Sequence, residues 1–419
     1  MKILLFPSAV DLAGVSTHVF NLAKLLNEDG LLDAVICPDH GWLSERLEEN
    51  RIPHVIVRLS YRPRAFLSSS LALLRFLQSR PSADIVHVHG RFPLFISALS
   101  LVRGSGLIFV TTVHQFAHPA SAGRFGWKSK VETFLLRRMS RICCVSEDLK
   151  EEVLCRIGDQ NAPRVDVIPN WIEPLGCHAN APVIPPRPRR DGPSSIKICA
   201  IGRLSVEKGL DVLVRSLAIL RSHGYLPQCD IFGTGPEQSA LRKLTADAGL
   251  RDAVRFREPS GEVRRLLPTY DILVIPSRSE SFGLVALEAY DASVPVIASD
   301  VPGLRKTVLD GKTGLLFESG SSTSLAAAVE RLMQSEPLAG ELIAGGKRYL
   351  QEYMPNDRLR SECREFYRKA LLEDNRSGRP PYRFAGAGGA AAEPMKRRPE
   401  SRRYVLRAST AASMLPRPD

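Results

Sequence analysis

The segment 271-DILVIPSRSESFGLVALEA-289 contains the pattern that decides the fold. Its apolar residues 272–275 predict a buried strand, a serine-rich loop follows, and a helix is predicted to begin near Phe282. The same succession recurs along the chain, with further strands predicted at 2–6, 34–37, 55–57, 84–89, 107–113, 141–145, 196–201, 230–232, 254–256 and 296–298, and helices at 15–26, 66–77 and 209–221. Strands separated by helices pair in parallel through crossover helices, so the sequence predicts an α/β fold of doubly wound sheets.

A proline- and arginine-rich segment divides this pattern into two domains. Residues 182–193 read PVIPPRPRRDGP, which propagates neither a helix nor a central strand. Ten Lys or Arg against three Asp or Glu make the stretch from residue 376 to 419 basic, and its composition is typical of disorder. The sequence therefore predicts an N-terminal domain at 1–180, a linker at 181–195, a C-terminal domain at 196–356, an amphipathic helix at 357–374 and a disordered basic tail at 375–419.

The composition indicates a cytoplasmic protein with reduced thiols. No stretch reaches the roughly 18 apolar residues that a spanning helix needs, and the short apolar start before Asp11 fits a buried strand better than a signal peptide. The eight cysteines form no Cys-x-x-Cys pair, which argues against a zinc site or a disulfide framework. The formal net charge is +12, but no zinc-finger spacing or RNA-binding signature accompanies it, so we expect no specific nucleic-acid partner.

Two glutamates in the opening segment favour a ligand with several hydroxyl groups. Glu280 lies in the loop at the predicted helix entrance, and Glu288 follows eight residues later. Because eight residues at about 100° each return to roughly the same face, the two carboxylates are predicted to share one side of the helix. Carboxylates accept hydrogen bonds from hydroxyls, so the pair suits a sugar and a ribose. The backbone N–H groups of Phe282 and Gly283 are predicted to bind a phosphate or sugar oxygen.

A second loop, GRLSVEKG at residues 202–209, has the same place between a strand and a helix. A helix N-terminus attracts anions, and Arg203 and Lys208 add two cations there. Arginine grips two oxygens at once and lysine acts as a point charge, so the loop suits a diphosphate. Considered alone, the same residues also fit an ordinary charged surface loop.

The chain resembles the family-four retaining glycosyltransferases, or glycosyl transferases group 1, over roughly residues 1–372. The likeness rests on Gly202-Arg203-Leu204 with Glu207-Lys208-Gly209, on Pro276-Ser277 with Glu280-Ser281-Phe282-Gly283 and Glu288-Ala289, on Pro295-Val296-Ile297-Ala298 with Gly303, and on Gly311 with Thr313-Gly314-Leu315-Leu316. It implies the GT-B fold, in which two Rossmann-like domains face a cleft and a C-terminal helix crosses back to the first domain.

The resemblance also implies roles for individual residues of the second domain. Arg203 and Lys208 would hold the donor diphosphate, Glu280 would contact the donor sugar and Glu288 would bind the ribose. The backbone at Phe282, Gly283 and Leu284 would meet the sugar-phosphate region.

In the N-terminal half, residues 11–18 (DLAGVSTH) resemble the family's glycine-rich loop near the donor phosphates. Ala13 stands in place of the first of two glycines. Gly14 remains, so close approach of a ligand to the backbone is still expected. Ser16 is a further donor-side candidate.

His114 follows the strand predicted at 107–113, where the resemblance implies a histidine near the donor sugar. We predict that His114 and Glu280 are the catalytic residues. Asn170 lies in a turn that resembles the family's Ile-Pro-Asn-Gly, with Trp171 in place of the glycine, and Gly233 belongs to a Gly-x-Gly-Pro turn. Both are additional donor-side candidates.

The expected activity is retaining transfer of a sugar from a nucleoside diphosphate sugar to a saccharide or lipid-linked saccharide, in cell-envelope or exopolysaccharide biosynthesis. A UDP-sugar is the first choice of donor and GDP-mannose the second. The resemblance implies front-face attack, with the leaving phosphate helping to deprotonate the acceptor. No Asp-x-Asp motif occurs, and cationic side chains already offset the phosphate charge, so neither a cofactor nor a divalent metal is expected.

Two other functions fit parts of the sequence. The turn at 233–235 gives Gly-x-Gly without the third glycine of the dinucleotide fingerprint, which weakens an NAD(P)-dependent oxidoreductase. A non-catalytic nucleotide-sugar-binding protein would keep the same fold. Separately, residues 61–67 (YRPRAFL) and 124–141 combine basic and apolar side chains, so the protein is a candidate for peripheral binding to an anionic membrane, on the inner face of the cytoplasmic membrane.

Overall fold

The computed structural model describes residues 1–8, 10–11, 14–60, 62–103, 106–115, 126–172, 195–261, 263–353 and 356–376. The chain forms two compact units, Met1–Val167 with Arg364–Asp419 and Ile168–Cys363. The predicted linker lies outside the described residues except for Ser195, which begins a strand, and so does the predicted tail beyond residue 376.

The first unit contains a seven-stranded parallel sheet in the order β3-β2-β1-β4-β5-β6-β7. Its strands are β1 (Ile3–Pro7), β2 (Leu32–Cys37), β3 (His54–Ile56), β4 (Ile85–His89), β5 (Ile108–Val113), β6 (Arg141–Cys144) and β7 (Val165–Val167). All six strands predicted in this half are confirmed to within two residues, and β7 adds to the prediction. The strands of the sheet's centre are buried along their whole length, as expected for a parallel sheet covered on both faces.

Helices connect the strands of the first unit. They are α1 (Gly14–Glu28), α2 (Trp42–Glu49), α3 (Phe66–Gln78), α4 (Arg91–Ile96), α5 (Ala98–Arg103), α6 (Gly126–Leu136) and α7 (Glu147–Ile157), with short 3-10 turns at Pro63–Ala65 and Asp159–Arg164. Their apolar faces pack on the sheet, whose inward side chains include Leu4, Phe6, Val86 and Val88. No helix within the described ranges is both long and apolar enough to cross a membrane.

The second unit contains a six-stranded parallel sheet in the order β10-β9-β8-β11-β12-β13. Its strands are β8 (Ser195–Ile201), β9 (Leu226–Phe232), β10 (Val254–Arg257), β11 (Ile272–Ile275), β12 (Val296–Ser299) and β13 (Gly314–Phe317). Its helices are α8 (Leu210–Ser222), α9 (Gln238–Asp247), α10 (Val263–Leu266), α11 (Leu284–Asp291), α12 (Pro302–Arg305), α13 (Ser322–Met333) and α14 (Glu336–Tyr353), with 3-10 turns at Val206–Lys208 and Leu267–Thr269.

The last helix, α15 (Asn356–Arg376), begins in the second unit, and from Arg364 onward it belongs to the first. Arg364 donates to Asp29 at 2.6 and 2.8 Å. The Tyr367 hydroxyl lies 2.7 Å from His87 Nδ1. These contacts attach the second half of α15 to the residue that follows α1 and to β4.

Each sheet contains one point at which the strand order reverses. In the first unit the reversal lies between β1 and β4, and in the second between β8 and β11. Loops leaving the carboxyl ends of such a strand pair turn to opposite faces, and the crevice between them is where open α/β sheets bind ligands. We call the segments that follow β1, β4 and β5 the first switch point, and the segments 202–209 and 276–283 the second switch point.

Candidate functional site

The two loops of the second switch point are joined backbone to backbone. The N–H groups of Arg278 and Ser279 donate to the Glu207 carbonyl at 2.8 and 3.4 Å. Gly209 has a φ of +60°, and a Cβ atom there would stand 2.0 Å from the Pro276 carbonyl oxygen. Only glycine combines that conformation with so close an approach. The position of one loop therefore fixes the position of the other.

Lys208 and Glu280 form an ion pair across this junction. The Nζ–Oε2 distance is 2.6 Å, and both side chains are partly buried. The carbonyl of Glu280 is also confined, because a Cβ on Gly303 would lie 1.7 Å from it. Two residues predicted on separate loops, one for the diphosphate and one for the sugar, are thus direct neighbours.

Arg203 supplies an exposed positive charge beside this pair. Within the described part of the chain no ion pair involves its guanidinium. Burial raises the pKa of Glu207, but the hydrogen bond from Ser205 and the nearby cations Arg203 and Lys208 outweigh that effect and hold the pKa below its usual value. Glu207 is therefore ionised at neutral pH, and Arg203 is an exposed cation of the same loop.

The helix that the sequence predicts to begin near Phe282 begins two residues later. Gly283 adopts the left-handed conformation at φ +80°, and α11 begins at Leu284. The N–H group of Ala286 already donates to the Gly283 carbonyl at 2.9 Å, so the N–H groups that precede this first bond of the helix are those of Gly283, Leu284 and Val285. Phe282 is buried, and its carbonyl accepts a hydrogen bond from Thr307 Oγ1 at 3.0 Å.

Because α11 begins after Glu280, helical periodicity no longer places Glu280 and Glu288 on one face of a helix. The 100° rule applies within one helix, and Glu280 precedes α11. Burial raises the pKa of Glu288, Arg264 opposes the shift and Asp291 adds to it. Glu280 is thus held by a lysine on a loop, whereas Glu288 lies within α11 near the paired residues Arg264 and Asp291.

Gly233 has a packing role in this structure. Its φ is +153°, and a Cβ on it would lie 1.9 Å from the Gly202 carbonyl oxygen. A Cβ on Gly235 would lie 2.3 Å from the Leu204 carbonyl oxygen, and the Leu204 N–H donates to Thr234 at 2.9 Å. The Gly-x-Gly turn is therefore pressed against the loop at 202–209, which accounts for both glycines without a dinucleotide.

The first switch point gathers histidines. His89 ends β4, His114 follows β5, and His18 lies on α1. His89 Nδ1 is 3.4 Å from His114 Nε2, and the His18 ring centroid is 4.8 Å from that of His114. His18 and His89 are buried, whereas His114 is partly exposed. Only His114 was identified from the sequence.

The signal that identifies His89 is the alternation His87-Val88-His89 in β4. Alternate residues of a strand point to the same face, so both imidazoles flank the end of β5. Burial, reinforced by neighbouring histidines, lowers the pKa of His87, His89 and His114 well below the usual value. At neutral pH these three rings are therefore uncharged, and each offers one N–H donor and one nitrogen lone pair.

The remaining candidates, from the glycine-rich loop and the hinge turn, lie at the start of α1 and in the second unit. Gly14 begins α1, and the Ser16 hydroxyl donates to the Asp11 carbonyl at 2.6 Å. Ala13 lies outside the described residues. Asn170 is buried in the second unit, and its Oδ1 has no hydrogen-bond partner among the described residues.

The predicted contact with a membrane is wrong for one residue of these basic and apolar stretches. Arg141 is buried and forms ion pairs with Asp166 and Glu373, so it is not available to a membrane. At the start of α3, by contrast, Phe66 and Leu67 are 41% and 64% exposed. Tyr61 and residues 116–125 lie outside the described part of the chain.

Comparisons with known proteins agree on one family. The family model described as "Glycosyl transferases group 1" matches residues 188–349, and that described as "Glycosyltransferase Family 4" matches residues 12–174. The chain is 35% identical over 367 residues to a D-inositol 3-phosphate glycosyltransferase from Pseudarthrobacter chlorophenolicus, a match that covers 78% of this chain and 83% of the relative.

Solved structures resemble the whole described fold. Anabaena HepE in complex with UDP and glucose superimposes with a TM-score of 0.74 at 19% identity, over 87% of this chain and 98% of HepE. The sucrose-phosphate synthase of Thermosynechococcus elongatus does so with a TM-score of 0.69 at 20% identity, over 89% and 100% of the two chains. At these identities the likeness concerns the fold.

Proposed function

The chain belongs to glycosyltransferase family 4, the glycosyl transferases group 1, and from this premise we propose that it is a retaining enzyme that uses a nucleoside diphosphate sugar. It is a glycosyltransferase of GT-B fold. A UDP-sugar is the first donor proposed and GDP-mannose the second, and the UDP bound to HepE supports that order. The proposal rests above all on the Lys208–Glu280 ion pair beside the exposed Arg203.

Donor binding follows from the charges of the second switch point. The diphosphate engages Arg203 and Lys208, so the ammonium of Lys208 is shared between phosphate and Glu280. Glu280 then accepts hydrogen bonds from hydroxyls of the donor sugar, and Glu288 accepts them from the ribose. The first-turn N–H groups at Leu284 face the sugar-phosphate oxygens.

The reaction needs charge stabilisation more than an external base. The bond between the anomeric carbon and the diphosphate oxygen breaks, and the acceptor oxygen forms the new glycosidic bond on the same face. The acceptor proton passes to the departing phosphate, whose developing charge is stabilised by Arg203, Lys208 and the start of α11. His114 contributes a neutral hydrogen-bonding group near the donor sugar. Because the cations belong to the protein, no divalent metal or cofactor is required for this step.

A thermal-shift panel of nucleoside diphosphates and their sugars tests donor use, followed by donor-turnover assays of the ligands that bind. UDP is expected to raise Tm, because a ligand specific to the native state stabilises it. Arg203→Ala should shrink this shift, whereas Arg251→Ala, an exposed arginine of the same unit, should not. A shift with NAD and none with any nucleoside diphosphate would contradict the proposal.

We further propose a saccharide or lipid-linked saccharide acceptor of the cell envelope, reached by peripheral binding to an anionic membrane. The start of α3 supports this, because the exposed Phe66 and Leu67 lie next to the exposed cations Arg62 and Arg64. Sedimentation with phosphatidylglycerol vesicles should decrease in the double variant Phe66→Ser/Leu67→Ser and in high salt. Leu226→Ser, a change of an exposed leucine in the second unit, is the control. Absence of binding at low salt would contradict membrane association.

A further inference from the structure

Three histidines of the first switch point converge from three separate segments. His18 comes from α1, His89 from the end of β4, and His114 from the segment after β5. One ring nitrogen from each lies within 4.8 Å of those of the other two. Because these residues are distant in sequence, only the tertiary fold brings them together.

The spacing suits a transition-metal ion. Tetrahedral Zn²⁺ with Zn–N bonds of about 2.0–2.1 Å holds its nitrogen ligands about 3.3–3.4 Å apart. His89 Nδ1 and His114 Nε2 are 3.4 Å apart, so one edge of such a polyhedron is already formed. A three-histidine site leaves the fourth position to water, and the partly exposed His114 gives an ion a path from solvent.

One of these three imidazole rings, that of His89, is not fully hydrogen-bonded. His89 is fully buried, and its Nε2 has no hydrogen-bond partner among the described residues. A buried polar atom without a partner costs free energy. The neighbouring His87 differs, because its two nitrogens lie 2.7 Å from Tyr367 Oη and 2.8 Å from Thr112 Oγ1. His87 is therefore fully hydrogen-bonded by the fold, whereas the hydrogen-bond contact that the described residues give the His89 ring is from Nδ1 to His114, a second histidine of the cluster.

We propose that His18, His89 and His114 bind one divalent transition-metal ion, Zn²⁺ in preference to Co²⁺, and that occupancy of this site inhibits sugar transfer. Inhibition rests on the proposed role of His114 at the donor sugar, whereas metal binding itself does not. A lone pair of His114 that coordinates a metal no longer accepts a hydrogen bond, and the ring is fixed in place. The three histidines belong to the first unit, whereas Arg203 and Lys208 of the diphosphate site belong to the second.

Titration of the untagged, chelator-treated full chain with Co²⁺ tests the binding. We expect one Co²⁺ per chain, visible absorption bands of a nitrogen-ligated low-coordinate ion, and loss of those bands when Zn²⁺ is added. His114→Ala should weaken Co²⁺ binding by more than about 10-fold, since even outer-shell changes cost about 10- to 100-fold. His223→Ala, which removes an exposed histidine of the second unit, is the matched control.

Three results would overturn the site. They are no Co²⁺ uptake by the wild-type chain, equal affinity in His114→Ala and His223→Ala, or thiolate charge-transfer bands that disappear with Cys155→Ser, the change of an exposed cysteine. Because His18 and His89 are buried, Co²⁺ affinities of variants at these positions are interpreted only if their circular dichroism spectra match that of the wild type.

Thermal shift and turnover separate this proposal from the donor site. Zn²⁺ should raise the Tm of wild type and His223→Ala but not that of His114→Ala, whether or not a donor has been identified. With a donor in hand, saturating Zn²⁺ should abolish turnover while the UDP-induced shift persists. Unchanged turnover at saturation would overturn the inhibition, and absence of turnover with every donor would instead contradict the proposed function.

Discussion

The first and second switch points occupy equivalent places in two sheets of similar strand order, yet their chemistry differs. At the second, Lys208 and Glu280 are paired at 2.6 Å with the exposed Arg203 alongside. At the first, His89 and His114 are held uncharged by burial. Strand order thus determines where a ligand can bind. The side chains at that position then determine whether the ligand is an anion or a group that binds uncharged imidazole nitrogens.

The side chains of the two switch points are also held in position by different kinds of contact. Backbone contacts at glycines hold the charged loops together, as at Gly209 and Gly303. His18 and His89 are held by burial against the sheet, and the neighbouring His87 is held by contact with Tyr367 of α15. Charged loops need a rigid backbone because their side chains must point at a ligand, while buried rings are positioned by packing.

Glu280→Gln tests the charged switch point most severely. The substitution keeps the size of the side chain but removes the charge that pairs with Lys208, so we expect turnover to fall by about 100- to 1,000-fold, the range for loss of one preorganised electrostatic group. The UDP-induced rise in Tm should remain. Glu330→Gln, a surface change in the same unit, should leave turnover unaltered, and undiminished activity of Glu280→Gln would refute its catalytic role.

Lys208→Met separates donor binding from catalysis. Loss of one charge-assisted hydrogen bond costs about 1.5–3 kcal/mol, so UDP affinity should fall by about 10- to 100-fold. Isothermal titration of UDP measures the effect directly. Lys243→Met on the exposed face of α9 is the control, and equal affinities of the two variants would place the diphosphate elsewhere.

Gly303→Ala tests whether backbone contact keeps Glu280 in place. The new Cβ would stand 1.7 Å from the Glu280 carbonyl oxygen, so the loop has to move. We expect a loss of about 1–3 kcal/mol in the free energy of unfolding, as for other overpacked sites, together with reduced turnover. Gly340→Ala has nothing within 4 Å of its Cβ and should be neutral or slightly stabilising in urea denaturation. Matching stabilities of the two variants would contradict this explanation.

The smallest effect concerns the pH dependence of Glu288. Its pKa is raised in the folded state, so it contributes stability that is complete below the unfolded-state pKa and is lost as pH rises through the folded pKa. Glu288→Gln lacks this titration, and its stability relative to wild type should increase from acid to neutral pH. The slope difference cannot exceed about 1.4 kcal/mol per pH unit for one proton. A parallel pair of stability curves would show that Glu288 titrates normally.

The sequence predicted the sheets well, because buried parallel strands such as β4 and β11 are short apolar runs between loops. It also identified Lys208 and Glu280, yet their contact joins residues 72 positions apart and depends on the pairing of β8 with β11. The helix start was misplaced because Gly283 takes a left-handed conformation, which apolar periodicity does not reveal.

Long-range partners explain the other differences. Arg141 has the sequence context of an exposed basic residue, but Asp166 and Glu373 neutralise it in the interior. His18 carries no signal in its own segment, and although the alternation His87-Val88-His89 places His89 beside the end of β5, its nearness to His18 and His114 depends on the tertiary fold. Residues whose role depends on distant neighbours cannot be recognised from local pattern alone.

The divided helix α15 has a consequence for biosynthesis. The first unit is completed only by residues from Arg364 onward, which leave the ribosome after the whole of Ile168–Cys363. At about 5–20 residues per second, that delay is on the order of 10 to 40 s. During this interval the nascent sheet of β1–β7 is exposed where Phe366, Tyr367 and Ala370 will later cover it. The first half of the protein is therefore the half that most needs a chaperone during translation, although it is made first.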